Sequence, residues 1–236
     1  MTETPLPART LRLLDGFGLD DGRLHVIPAA RRLLALLAIR ESAVSRATAA
    51  ALLWPEATTR RAAASLRSTL WRLAKPTGGL VQAADDVLRL RPGVEVDFHL
   101  ARQLATTVAA PDRVPDAHAL SLLKAELLPD WDQPWLTAEQ DWWHEARLRA
   151  LETLSCRFRS TGDRHRAHQA ASAAVQSDPL RESAHRMLVE LHLADGNPAQ
   201  AVRQYAEYRH RLRAELGLAP SPEIHRLVRP LLDRRP

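Results

Sequence analysis

The chain has 236 residues, of which 45% are hydrophobic and 26% charged, with a formal net charge of +5. This composition excludes an intrinsically disordered polymer and leaves room for two domains of roughly 100 to 150 residues, each with its own core. Cys156 is the single cysteine, so no intrachain disulfide framework exists and a reducing compartment is expected.

The apolar run Leu33–Ile39 falls far short of the roughly 18 residues that read as a membrane span, and the N-terminal "MTETPLPART" does not read as a secretory signal. Neither insertion nor export is expected. The charge is unevenly placed: residues 1–96 hold 14 Lys/Arg against 9 Asp/Glu, whereas residues 97–236 hold 19 of each. The excess positive charge of the first part suits a polyanionic partner, nucleic acid or anionic lipid.

In chain order, Leu11–Leu14 and Leu24–Ile27 are short β-compatible runs separated by glycines and an Asp21-Gly22 pair, which predicts a small antiparallel sheet. Pro28 then opens "AARRLLALLAIRE", an alanine- and leucine-rich helix whose nearly continuous apolar face makes it the expected centre of a small core. Ser45 caps a second, short helix that Pro55 stops, with Trp54 expected to plug the core.

A third helix starts at Thr58 or Thr59. At about 100° per residue, Ala62, Ala63, Leu66, Thr69, Leu70 and Leu73 gather on one arc, and Arg61, Ala64, Arg67, Ser68, Trp71 and Arg72 lie toward the other. Thr58–Lys75 contains Arg60, Arg61, Arg67, Arg72 and Lys75 and no acid. Such a face repels itself unless water, salt or an anionic partner screens it. Ala64 and Ser68 keep its centre narrow enough to approach a groove, while the arginines can reach phosphates or guanine edges. A merely solvated basic helix is the plainer alternative.

After "PTGG", Leu80–Ala83 and Val87–Leu90 flank Asp85-Asp86 and predict a hairpin wing, with Arg89 and Arg91 as its phosphate candidates. The expected fold is therefore mostly α. A winged helix-turn-helix with a small antiparallel sheet and a hairpin wing occupies residues 1–96, and an all-α helical repeat domain occupies residues 97–236.

In that second part "PDRVPD" at 111–116 and "LLPDWDQPW" at 127–135 interrupt helix, and a long helix is expected from about Thr137. Gly162-Asp163 recurs as Gly196-Asn197, Leu154 as Leu188 and Ala167 as Ala201, each offset by 34 residues. That is the tetratricopeptide period, a pair of helices whose stacked copies leave a concave surface for a partner. Gly217 ends the last long helix, and a terminal helix is expected over Pro222–Leu232. Trp131, Trp135, Trp142 and Trp143 are expected to staple helices together, although such a cluster also suits a pocket or interface.

No catalytic or metal-binding set is evident. His165 and His168 lack a third ligand on their face, His144 lacks the second histidine of a zinc protease motif, and Cys156 is expected to be packed and inert. No glycine-rich loop ending in Lys-Ser/Thr is present to cradle ATP. No cofactor and no enzymatic activity are expected.

Taken together and in order, "LRLLDGF", "ARRLLALLAI", "ALLWPEA", "RAAASLRSTLWRL", "DPLRESAHRMLVELHLADGNPAQAVRQY" and "RLRAELGLAPSPE" resemble the Streptomyces antibiotic regulatory protein family of transcriptional activators, over essentially residues 10–230. The resemblance implies a winged helix followed by a bacterial transcriptional activation domain of tetratricopeptide-like repeats. It implies a cytoplasmic, nucleoid-associated activator that binds direct repeats in double-stranded DNA near promoters of secondary-metabolite genes and contacts RNA polymerase, with a second copy on the adjacent half-site. It assigns the major-groove contacts to Arg61, Arg67, Ser68 and Arg72 and leaves Trp71 to pack or touch backbone. A repeat-based interaction adaptor and a promoter-blocking repressor are the alternatives.

Overall fold

The structure, a computed structural model, describes residues 9–20, 25–77, 79–109 and 117–233. Two compact units are present: one contains the chain up to Ala101 together with Ala125–Trp143, the other Arg102–Lys124 and the chain from His144 onward.

In the first unit, β1 (Arg9–Arg12) pairs antiparallel with β2 (Gly18–Leu19) and parallel with β6 (Val94–Val96). The predicted second strand is thus displaced. His25–Ile27 are not strand, Leu24 and the Asp21-Gly22 turn lie outside the described residues, and Gly18–Leu19 takes the pairing instead. The reversal occurs earlier because Asp15 and Gly16 hold φ of 54° and 119°, which turns the chain before it can extend.

Helix α1 (Pro28–Arg40) starts with proline at its first turn, and every residue of Leu33–Ile39 is buried. A helix apolar on all sides is stable only when surrounded, and α1 is the centre of this unit. Strand β3 (Val44–Ser45) leads into α2 (Arg46–Leu53), whose cap is Ser45 Oγ accepting the Thr48 N–H at 3.0 Å. Helix α3 (Thr59–Thr77) follows, and then the hairpin β4 (Val81–Ala84) and β5 (Val87–Leu90). Strand β5 is central in the sheet β3-β5-β4 and buries Leu88.

The segment Ala125–Trp143 belongs to this unit and is tied by backbone hydrogen bonds to the stretch that follows β1. Leu14 bridges Leu127, Leu128 N–H donates to Leu13 O at 2.9 Å, and Asp15 N–H donates to Glu126 O at 2.7 Å. Three tryptophans fix it by packing. Trp143 is buried edge-on to Phe98 with its Nε1 donating to Ala125 O at 3.0 Å, Trp131 stacks on Phe17, and Trp135 is buried; Trp142, 37% exposed, is the most open of the four. The compact unit therefore differs from the sequence boundary after Val96: it runs to Ala101 and takes in a stretch that sequence separation hides.

The helices of the rest of the chain are α4 (Asp97–Thr107), α5 (Ala117–Lys124), α6 (Pro134–Ser160), α7 (Arg164–Ser177), α8 (Glu182–Ala194), α9 (Pro198–Leu216) and α10 (Pro222–Leu232). Helix α6 begins at Pro134 rather than near Thr137, since proline at the first position needs no N–H partner. Residues 111–116, the first expected break, lie outside the described residues.

The second unit has the repeat read from the sequence. Gly162 and Gly196, at φ of 81° and 72°, turn α6 into α7 and α8 into α9. Alanines on α7 and Leu188, Val189, Ala201, Tyr205 and Tyr208 on α8 and α9 form the buried seam. Gly217, at φ of 69°, ends α9, and Ile224 and Val228 of α10 complete that core.

Candidate nucleic-acid interface

Helix α3 has one buried side and one exposed side. Ala62, Leu66, Thr69 and Leu73 are buried, with Ala63 and Leu70 half-buried beside them. Thr69, the one polar residue on the buried side, satisfies its hydroxyl by donating to Ser65 O at 2.8 Å. On the opposite side Arg60, Arg61, Ala64, Arg67, Ser68, Trp71 and Arg72 are all exposed. Lys75 lies in the last turns of α3, and its side chain is outside the described residues.

Among the described residues, none of Arg60, Arg61, Arg67 and Arg72 forms an ion pair with an acid. The contrast with the second unit is informative. There Arg159 meets Glu190 at 2.8 Å, Arg181 meets Glu152 at 2.8 Å, and Arg164 meets Asp195 at 3.1 Å. Several arginines of the second unit are thus paired with acids, whereas those along α3, where charge of one sign is concentrated, are not. Trp71, 73% exposed, adds a flat apolar surface amid those cations.

The wing is held beside α2. Arg46 N–H donates to Asp86 O at 2.8 Å, so the turn that follows Ala84 is tied to the first residue of α2. Asp85 occupies φ of 51°, which the tight two-residue turn requires and aspartate tolerates. Arg89 is exposed and donates through Nε to Gln82 Oε1 across the hairpin at 2.9 Å. Arg91 is exposed, and its guanidinium lies over Gly79: a Cβ there would come within 3.1 Å of it, and the φ of 85° already favours glycine. The acids Asp85 and Asp86 occupy the wing turn, so the cations Arg89 and Arg91 lie down the strand from it.

Sequence reading missed two aspects of this surface and, away from it, the surroundings of Cys156 and His168. Arg46 heads α2 and lines, with Thr59 and Arg67, a slot between α2 and α3. Its signal was a basic residue directly after the Ser45 cap. Trp54, the C-cap residue of α2, is half-buried and lines the same slot rather than plugging the core. Cys156, expected to be packed, is exposed, because it falls on the outer side of α6 between the buried Ser155 and the half-buried Arg157. His168 is hydrogen-bonded to Asp195 at 2.7 Å, a partner supplied by the next helical hairpin. Among the described residues no three His, Cys, Asp or Glu side chains come together to hold a metal ion, and no helix is long and apolar enough to cross a membrane.

A winged helix-turn-helix joined in one chain to tetratricopeptide-like hairpins defines a class of transcriptional regulator. Residues 96–232, more than half of the chain, match the family model described as the bacterial transcriptional activator domain, and the chain belongs to that family. It is similar to the regulatory protein AfsR of Streptomyces coelicolor, 30% identical over 224 residues, which covers 89% of this chain and 22% of that protein. AfsR of Streptomyces griseus is 29% identical over 218 residues, covering 87% of this chain and 22% of its own length. The chain thus spans about a fifth of the length of these curated relatives. The fold is similar to that of Mycobacterium tuberculosis EmbR, solved in complex with a low-affinity phosphopeptide, with a TM-score of 0.72 at 23% identity, covering 97% of this chain and 66% of that one. The resemblance to the Streptomyces antibiotic regulatory proteins is upheld by these matches.

Proposed function

We propose that this transcriptional activator works by sequence-specific DNA binding, with the exposed side of α3 seated in the major groove. The observation that carries the reading is the row of exposed, unpaired arginines on α3 with Ala64 and Ser68 at its narrow centre. Arg61, Arg67, Ser68 and Arg72 are the base-edge and phosphate contacts in the groove, Arg60 and Lys75 flank them on phosphates, and Trp71 packs on the sugar-phosphate backbone. Arg89 and Arg91 add phosphate contacts from the wing. This division follows from chemistry: bidentate guanidinium groups read guanine edges, and contacts to phosphate position the protein without reading sequence.

On this reading residues 1–96 bind DNA and residues 97–236 activate, through contact with RNA polymerase. The operator is a direct repeat, two copies bind adjacent half-sites, and the targets are secondary-metabolite genes. The match to the bacterial transcriptional activator domain and the likeness to the regulatory protein AfsR support the regulatory role. Selection of binding sites from random duplex, followed by transcription in vitro with purified polymerase, tests it. A repeated motif at fixed spacing and increased transcript support it; selection of no motif points to a repeat-based adaptor, and decreased transcript to a repressor.

A further inference from the structure

Between α2 and the first half of α3 lies an open slot of about 530 Å³, within the roughly 300–1,000 Å³ range of small-molecule sites. Its origin is compositional. Ala47, Ala50 and Ala51 line it from α2, and Ala62 and Ala63 from α3, so most of the wall ends at methyl groups, with Leu66 the one leucine among the lining residues. Helix α2 could have carried leucine at the exposed positions 47 and 51 with only a small loss of helix propensity. The half-buried Trp54 indole also lines the slot and gives it a flat aromatic surface.

Its charge is unbalanced. Arg46 and Arg67 both line it against one carboxylate, Asp86, and among the described residues none of the three is joined to an opposite charge in an ion pair. Flat methyl walls and an indole favour a planar ring, and two guanidinium groups favour a carboxylate or sulfonate, whose paired oxygens match the guanidinium fork. We infer that the slot binds a planar aromatic anion, and that its occupation competes with DNA because Arg67 serves both. The competition rests on the reading of α3 as the DNA-contacting helix; the binding of the anion does not.

The test uses the full chain and 1-anilinonaphthalene-8-sulfonate as probe, followed by fluorescence and calorimetry. One site per chain is expected. Ala51→Leu, and separately Ala47→Leu, both at exposed wall positions outside the proposed DNA contacts, are expected to weaken the probe at least about tenfold with unchanged circular dichroism and unchanged operator affinity. The neutral N-phenyl-1-naphthylamine is expected to bind about tenfold more weakly than the anion, the ratio that one guanidinium contact supplies. Saturating duplex should release the probe. Equal binding by the wild type and both leucine variants, or equal binding of neutral and anionic probes, overturns the site. A probe that stays bound under saturating duplex overturns the competition. Failure to bind duplex in the absence of probe is a separate result that sinks the DNA reading, with the site still decided by the leucine variants.

Discussion

Leu66 and Arg67 are neighbours in the chain, about 100° apart around α3, and differ sharply in exposure: Leu66 is 2% exposed in the core of the first unit, and Arg67 is exposed to solvent. The two positions should therefore fail differently. Leu66→Ala leaves a cavity and is expected to cost about 2–5 kcal/mol of stability, read by thermal or denaturant unfolding. Arg67→Ala should leave the melting curve unchanged and remove about 1–3 kcal/mol of preference for operator over random DNA, read by mobility shift. An unchanged preference would remove Arg67 from the proposed contacts.

Phosphate contacts have a different signature. Removing one cation that displaces a DNA counterion lowers the slope of log affinity against log salt by about 0.9, whatever the sequence. Arg91→Ala on the wing and Arg60→Ala at the start of α3 should each flatten the slope by about that amount and leave the operator-to-random ratio unchanged. A change in the ratio would instead place the residue on a base edge.

His185 should make the second unit acid-sensitive. It is buried, its Nε2 donates to Pro179 O at 3.0 Å, and its Nδ1 accepts from Gln204 Nε2 at 2.8 Å, so both ring nitrogens are engaged in the neutral form. Burial lowers its pKa below the ordinary 6.5, Arg211 adds to that, and the Pro179 carbonyl, Glu207 and Asp178 oppose it. The unfolded chain then binds the proton first, so the contribution is complete above about pH 6.5 and is lost as pH falls toward the depressed folded pKa. The melting temperature of the wild type should drop more steeply between pH 7 and pH 5 than that of His185→Gln. Parallel profiles would show that other groups carry the acid sensitivity.

Glu182, at the start of α8, holds α10 in place. Its carboxylate accepts the Ser221 N–H at 2.9 Å, the Ser221 hydroxyl and the Tyr208 hydroxyl at 3.3 Å. Glu182→Ala leaves those donors part-buried without an acceptor and should cost about 1–3 kcal/mol, with faster amide exchange concentrated in Pro222–Leu232. Burial, followed by the Glu182 charge, pushes the Tyr208 phenol up to about 12. In Glu182→Gln one tyrosine should therefore ionise at lower pH in an ultraviolet titration; an unmoved curve would break the link between the two residues.

How much of this was legible in the chain depends on the range of the forces involved. Helix α3 was readable residue by residue, because its two-sidedness is a 3.6-residue periodicity written in consecutive positions, and the same holds for the Ser45 cap and the 34-residue recurrence of the Gly162 and Gly196 turns. The strand opposite Arg9–Arg12 was misplaced, since short runs such as Leu24–Ile27 and Gly18–Leu19 carry little periodicity and their pairing is decided by partners from elsewhere in the chain. Cys156 was misread for a related reason: exposure depends on which face of α6 meets a neighbour.

By itself, then, the sequence determined the local elements, the sign and crowding of charge along α3, and the helical hairpins, because backbone propensity, capping and amphipathic period act over a few residues. Tertiary structure alone decided that Ala125–Trp143 packs with the first unit, that Arg159, Arg164 and Arg181 find acids while the arginines of α3 do not, and that alanines of α2 and α3 line a slot. Each of these depends on groups distant in sequence being brought within a few ångströms, and contact energies of that range have no expression in a one-dimensional pattern.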